Sequence, residues 1–257
     1  MMFSMEDASN TLSTASRPVL DGQRVRRPAR MASVVVEEIA HRILGGELHA
    51  GAVLPTEPAL EREFGFSRSV IREGLKLLEE RGLVRVEQGR GTTVQGRDAW
   101  NLLDPAVLRI ALVYDHEMVL LDDLIGVRRV LEREMARAAA ARLTEDELAV
   151  LAENLDQMTS SIGDYDRFRS LDLAFHDGVM RASGSEVGRT IVRTIHMNAG
   201  HAFRLSAPGA RAALECTVAE HRAIYEAFVA RDGELAATRT EAHIDSAWAV
   251  RRSNQFA

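Results

Sequence analysis

The sequence predicts a mainly α protein in two parts, a small N-terminal winged helix-turn-helix and a larger all-α helical bundle. Three observations carry that reading. Apolar residues recur at helical spacing along most of the chain, strand-like alternation is confined to the stretch from Leu83 to Val94, and after Arg97 the strand signal vanishes. Length agrees, since 257 residues is long for one compact domain and comfortable for two. The expected divisions are a flexible leader over residues 1–30, the winged helix over 31–97 and the helical domain over 98–257.

The elements follow in order. Residues 1–30 are rich in Ser, Thr, Asp, Arg and Pro without apolar periodicity, and the basic cluster Arg24, Arg26, Arg27 and Arg30 reads as part of a solvated tail. From Ala32 to about Leu48, Val35, Ile39 and Ile43 mark one helix face, which Gly45-Gly46 ends. Thr56 stands as an N-cap before a short helix that tolerates Pro58 in its first turn. Ser67 is placed to cap a third helix from about Arg68 to Arg81, with Val70, Ile71, Leu75 and Leu78 inward and Gly82 as its stop. Two short strands around Glu87-Gln88-Gly89-Arg90-Gly91 then make a hairpin. The remainder reads as seven helices, near 105–114, 117–142, 145–160, 164–183, 187–205, 210–231 and 233–252. Thr144 and Glu147 form a capping box, and Gly163, Gly184, Gly209 and Gly233 mark later boundaries.

Composition narrows the class. Hydrophobic residues are 46% and charged residues 27%, the balance of a globular protein, and no apolar run approaches the roughly 20 residues a membrane span needs. The single cysteine, Cys216, cannot form an internal disulfide and the polar N-terminus lacks a signal-peptide core, so a cytoplasmic location without membrane partners is expected. A net charge of -6 argues at first against a nucleic-acid partner, but the charge is unevenly spread. Residues 1–97 carry 14 Lys or Arg against 13 Asp or Glu, and the rest carry 18 against 25. Within 68–97 seven basic residues face four acidic ones, a basic strip inside an acidic protein.

That strip has the layout of a reading head. A recognition helix offers its N-terminal side chains to base edges while its apolar back packs inward, and Ser67, Arg68, Ser69 and Arg72 meet that requirement. Arg68 and Arg72 share a face and suit guanine N7 and O6, and the serines suit phosphate. Gln88, Gly89 and Arg90 at the hairpin tip are placed for an adjacent groove or backbone. One module makes few contacts, so a homodimer on a palindromic double-stranded DNA operator is expected.

The stretches Leu54-Pro55-Thr56-Glu57, Phe66-Ser67-Arg68-Ser69-Val70-Ile71-Arg72-Glu73 and Gly89-Arg90-Gly91-Thr92-Thr93-Val94 resemble the GntR-type winged-helix domain of transcription repressors. The resemblance covers about 65 residues. Two positions depart from it. Pro58 stands where the fatty-acid-responsive member has a DNA-contacting arginine, and Gly74 stands where alanine is usual.

In the acidic part, Asp172 and His176 are four apart on one helix, about 6 Å along its axis, so both can reach one ion. His221 and His243 lie near the inner faces of two later helices. One carboxylate and three imidazoles suit a divalent metal, zinc first and Ni, Mn or Fe as well, while the other reading of such histidines is a hydrogen-bonded core. Arg128-Arg129-Val130-Leu131-Glu132, Asp172 to His176, Glu220-His221-Arg222 and Ala242-His243-Ile244 are similar to FCD, the all-helical effector domain of the FadR-like branch of GntR regulators. That resemblance implies that Asp172, His176, His221 and His243 are metal ligands. It also implies that Arg128 anchors the carboxylate of a small effector; the alternative for Arg128 is an ion pair with Asp122, Asp123 or Glu132. Ala182-Ser183-Gly184-Ser185 lacks the family's usual asparagine, and Trp100-Asn101-Leu102-Leu103-Asp104-Pro105 resembles the linker of members that answer to sugar acids. The competing class is a metal-dependent enzyme of small organic acids with Glu220 as base. Against it, no His-Glu-x-x-His, nucleophile elbow or phosphate loop occurs, and the expectation is a non-enzymatic regulator.

Overall fold

In a computed structural model of the chain, the described residues are 22–87, 89–199 and 210–255. The first helix, α1 (Gly22–Leu44), is followed by α2 (Glu57–Phe64), α3 (Arg68–Glu80), β1 (Val84–Glu87) and β2 (Gly91–Val94). The strands pair antiparallel with Val84 opposite Val94 and Glu87 opposite Gly91, and Val53 adds a bridge to Thr93. The three helices and the hairpin close over one core that includes Val35, Ile39, Leu60, Ile71, Leu78 and Val94.

The start of α1 corrects the expected leader. The helix begins at Gly22 rather than Ala32, so the segment 22–30 is helical. Gln, Arg and Ala are good helix formers whether or not apolar residues recur among them. Thr56 and Ser67 do occupy N-cap positions, but neither side chain makes a capping hydrogen bond. The box at Thr144 and Glu147 forms as expected, with both reciprocal bonds present.

Two glycines are required by what surrounds them. Gly82, at φ 73°, lets the chain leave α3, and a Cβ on it would lie 1.9 Å from the Ala99 carbonyl oxygen. Gly74 lies mid-helix on the face of α3 that meets α1, and a Cβ there would sit 2.9 Å from Val35 Cγ1. The departure from alanine at this position therefore serves close helix packing.

A 3₁₀ turn at Arg97–Ala99 leads into α4 (Pro105–Val113). Asp104 builds the junction. One carboxylate oxygen accepts from the amides of Ala106 and Val107, and the other lies 3.0 Å from Arg81 Nε at the end of α3. Val107 and Ile110 of α4 are buried in the winged-helix core, whereas Leu108 and Ala111 are buried in a second cluster formed with later helices.

Those helices are α5 (Val119–Ala140), α6 (Glu145–Ser160), α7 (Tyr165–Ala182), α8 (Glu186–Ala199), α9 (Ala210–Val229) and α10 (Gly233–Gln255). Their spans follow the expected ones closely; the expected end of α8 at 205 and the boundary at Gly209 lie outside the described residues. The long helices α5 and α10 run antiparallel, and a ladder of ion pairs, Arg129 with Asp245, Arg133 with Glu241 and Arg137 with Glu234, fixes their register. Ala139, Leu155, Met158, Phe175, Ala227 and Phe228 fill the core among α5, α6, α7 and α9.

Candidate functional site

At the N-terminal end, Ser67, Arg68, Ser69 and Arg72 all stand exposed along the start of α3. Their exposure follows from the burial of the opposite stripe, Val70, Ile71, Leu75 and Leu78. Ser67 Oγ and Ser69 Oγ lie 3.1 Å apart. Arg68 Nε is 3.1 Å and Arg72 Nε 3.7 Å from the two carboxylate oxygens of Glu57 at the start of α2. Sequence reasoning did not single out Glu57, which aligns both arginines from a neighbouring helix. Gly89 and Arg90 are exposed at the tip of the β1–β2 hairpin, with Arg90 4.0 Å from Glu87; Gln88 lies outside the described residues.

The second site lies among α5, α7, α8, α9 and α10. Asp172, His176, His221 and His243 each turn one ligand atom inward, and these atoms all lie within 4.8 Å of one another. His221 Nε2 is 3.2 Å from His176 Nε2, and Asp172 Oδ1 is 3.6 Å and 4.0 Å from those two nitrogens. Four residues from three helices thus converge; the helical spacing of Asp172 and His176 accounts for the first two, and His221 and His243 reach them from α9 and α10.

Two carboxylates hold the imidazoles from behind. His243 Nδ1 is hydrogen-bonded to Glu220 Oε2 at 2.8 Å, and His176 Nδ1 lies 2.8 Å from Glu132 Oε2. Each ring therefore presents its Nε2 to the centre, the arrangement by which outer carboxylates orient metal-ligating histidines. Burial, with His243 and His176 alongside, keeps the His221 imidazole well below its ordinary pKa. Burial lowers His243 too, against the opposing pull of Glu220. Desolvated neutral imidazoles keep the lone pairs that a metal takes, so the donor set fits a divalent cation.

Glu132 is the residue whose importance its sequence position does not show. It is 2% exposed. Burial alone would raise its carboxyl, but Arg128, His196 and His176 outweigh burial and hold it well below the usual carboxylate range. Oε1 accepts from Arg128 Nε at 2.7 Å and stands 3.1 Å from His196 Nε2. Burial, reinforced by Arg128, lowers the His196 imidazole to about 4. Of the two expectations for Arg128, the ion pair with Glu132 is present; Arg128 also lines the cavity. Of the two other partners considered, Asp122 accepts hydrogen bonds from Trp248 and Arg252.

The cavity in front of this cluster measures about 100 Å³. At the ~10–15 Å³ that one water requires, it admits several waters or a compact organic ion. Arg128, Asp172, His176, His196, Glu220 and His243 form its polar end. Glu220, considered above as an enzyme's base, is engaged with His243.

A winged helix-turn-helix joined to an all-helical domain with a buried polar cavity defines a two-part DNA-binding transcription regulator. The chain belongs to the gntR family of bacterial regulatory proteins, whose model matches residues 31–94, and the FCD domain model matches residues 123–246. It is similar to the galactonate operon transcriptional repressor of Escherichia coli, at 30% identity over 79% of this chain and 88% of that one. It also resembles LutR, a transcriptional regulator of Bacillus subtilis, at 30% identity over 79% of this chain and 92% of that one. The Glc operon transcriptional activator of Escherichia coli is 33% identical over 63% of each chain. Among solved structures, Lar, which controls expression of the Listeria monocytogenes agr system, shares the fold with TM-score 0.52 at 19% identity, covering 85% of this chain and 97% of that one. No described helix is long and apolar enough to cross a membrane.

Proposed function

We propose that this chain is a homodimeric, one-component repressor whose affinity for a palindromic operator falls when a small carboxylate binds beside a divalent metal in the helical domain. The observation that carries the proposal is the convergence of Asp172, His176, His221 and His243 within 4.8 Å, with Arg128 at the same end of the cavity. Zinc is the first choice of ion, because imidazole and carboxylate donors in a four-ligand set suit it. The bound ion supplies a Lewis-acidic anchor for the acid, and Arg128 adds a charge-assisted hydrogen bond to its carboxylate. We assign DNA contacts to Ser67, Arg68, Ser69, Arg72, Gln88, Gly89 and Arg90, and take the boundary of the two parts near residue 98.

The response is a population shift, in which the acid favours the arrangement of the two heads that fits the operator less well. That the related proteins include a repressor and an activator makes the sign of this response the point to test. Elemental analysis of protein purified without chelator should find about one divalent ion per chain, and His221→Ala should lose it. A gel shift with the protein's own upstream region should show binding that a sugar acid such as galactonate weakens. Metal-free protein with unchanged acid binding would overturn the metal assignment, and turnover of the acid by metal-loaded protein would favour the enzyme reading instead.

A further inference from the structure

The cavity does not end at the Asp and His cluster. Along α7 its wall is made by Tyr165, Arg169, Asp172 and His176, which succeed one another at about one turn each, so this helix measures out the cavity's length. His176 lies at the polar end with Arg128. Arg169 comes three residues before Asp172, about 4.5 Å along the axis away from that end. Leu121, Phe168, Leu214 and Ala247 are among the apolar residues that line the same cavity.

Arg169 differs from the other cavity arginine in one respect. Arg128 is neutralised by Glu132, whereas Arg169, half-buried, makes no hydrogen bond and no ion pair with any described residue. Asp172, one turn along the same helix, has Oδ1 3.6 Å from His221 Nε2 and 4.0 Å from His176 Nε2. A half-buried guanidinium in a cavity wall, with five donors and no partner among the described residues, is suited to an anionic group that arrives from outside.

We propose that Arg169 holds a second anionic group of the effector, so that the ligand is a compact dianion, in its simplest form a short dicarboxylate lying between the Arg128 end and Arg169. This rests on the carboxylate reading given above and narrows it. The cavity's about 100 Å³ selects a short backbone over a long acyl chain.

Isothermal titration calorimetry on the zinc-loaded full-length protein tests it with two matched pairs, succinate against butyrate and galactarate against galactonate. In the wild type each dianion should bind at least about tenfold tighter than its monoanion, the difference one charge-assisted hydrogen bond makes. Arg169→Gln should erase that preference and leave the monoanions within about twofold, and Arg169→Lys should restore part of it. Equal affinities within each wild-type pair, or an Arg169→Gln loss shared equally by monoanion and dianion, would overturn the assignment. The broader reading fails differently: if none of the four acids binds the wild type, the carboxylate effector and the role of Arg169 fall together, whereas tight monoanion binding without dianion preference removes Arg169 alone.

Discussion

At the winged-helix end the arginines stand in water. Arg68, Arg72 and Arg90 have side chains 68%, 66% and 82% exposed, and the carboxylates of Glu57 and Glu87 accompany them loosely. In the helical domain the charged groups are enclosed, with Glu132 almost wholly buried among Arg128, His176 and His196. Exposed pairs of the first kind contribute about 0–1 kcal/mol to stability, whereas breaking a buried pair costs about 3–5 kcal/mol. The same residue types therefore serve a partner at one end and hold a site together at the other. Removing an exposed charge at the first end should leave stability nearly unchanged, whereas removing one partner of a buried pair at the second should lower it.

The sharpest way to break that contrast is Glu132→Ala, which leaves Arg128 without its buried counter-ion and frees two imidazoles. Denaturant unfolding should show a loss of about 3–5 kcal/mol, and a loss under about 1 kcal/mol would mean the enclosed charges behave like surface ones. Next comes Gly82→Ala, where a left-handed residue alone costs about 1–3 kcal/mol before the collision with the Ala99 carbonyl is added. This tests whether the reading head depends on its covalent turn more than on its charges. Arg68→Ala is the reverse case. Its melting temperature should hardly move, while operator affinity should drop by about 1–3 kcal/mol in a gel shift, with discrimination relaxed at one base pair.

Thr144→Ala removes one half of the box at the start of α6 and should cost about 1 kcal/mol in the helical domain. The backbone and side chain of Thr144 depress the Glu147 carboxyl. Its stabilisation is therefore present above the unfolded-state value near 4.3 and is lost as pH falls through the lower folded one. Unfolding measured from pH 6 to pH 3 should show a shallower acid limb in Thr144→Ala than in the wild type. The smallest effect belongs to Arg90→Ala, which should weaken DNA binding evenly across sequences and lower the salt slope by about one ion.

What could be read from the sequence was local. Asp172 and His176 are legible because four residues on a helix bring side chains together, and the winged helix is legible because caps, glycines and apolar stripes each act within a few positions. His221 and His243 needed the family resemblance, since nothing in their spacing orients α9 and α10 toward α7. Glu132, Glu220, His196 and Arg169 depend on how the helices pack together, as in the ladder of Arg129, Arg133 and Arg137 against α10, whose partners lie about a hundred residues apart in the chain. The helical start of α1 was hidden for a different reason, because residues 22–30 carry no apolar periodicity to signal it.

The short helix α4 lends Val107 and Ile110 to one core, and Leu108 and Ala111 to the cluster that also holds the cavity-wall residues Leu121, Ile125, Ile195 and Ala199. Because the two cores share α4, we expect them to melt as one cooperative unit. A head severed at residue 97 would open its interior where Val107 and Ile110 had been, and limited proteolysis of the intact chain should spare the 97–113 segment until the whole molecule unfolds.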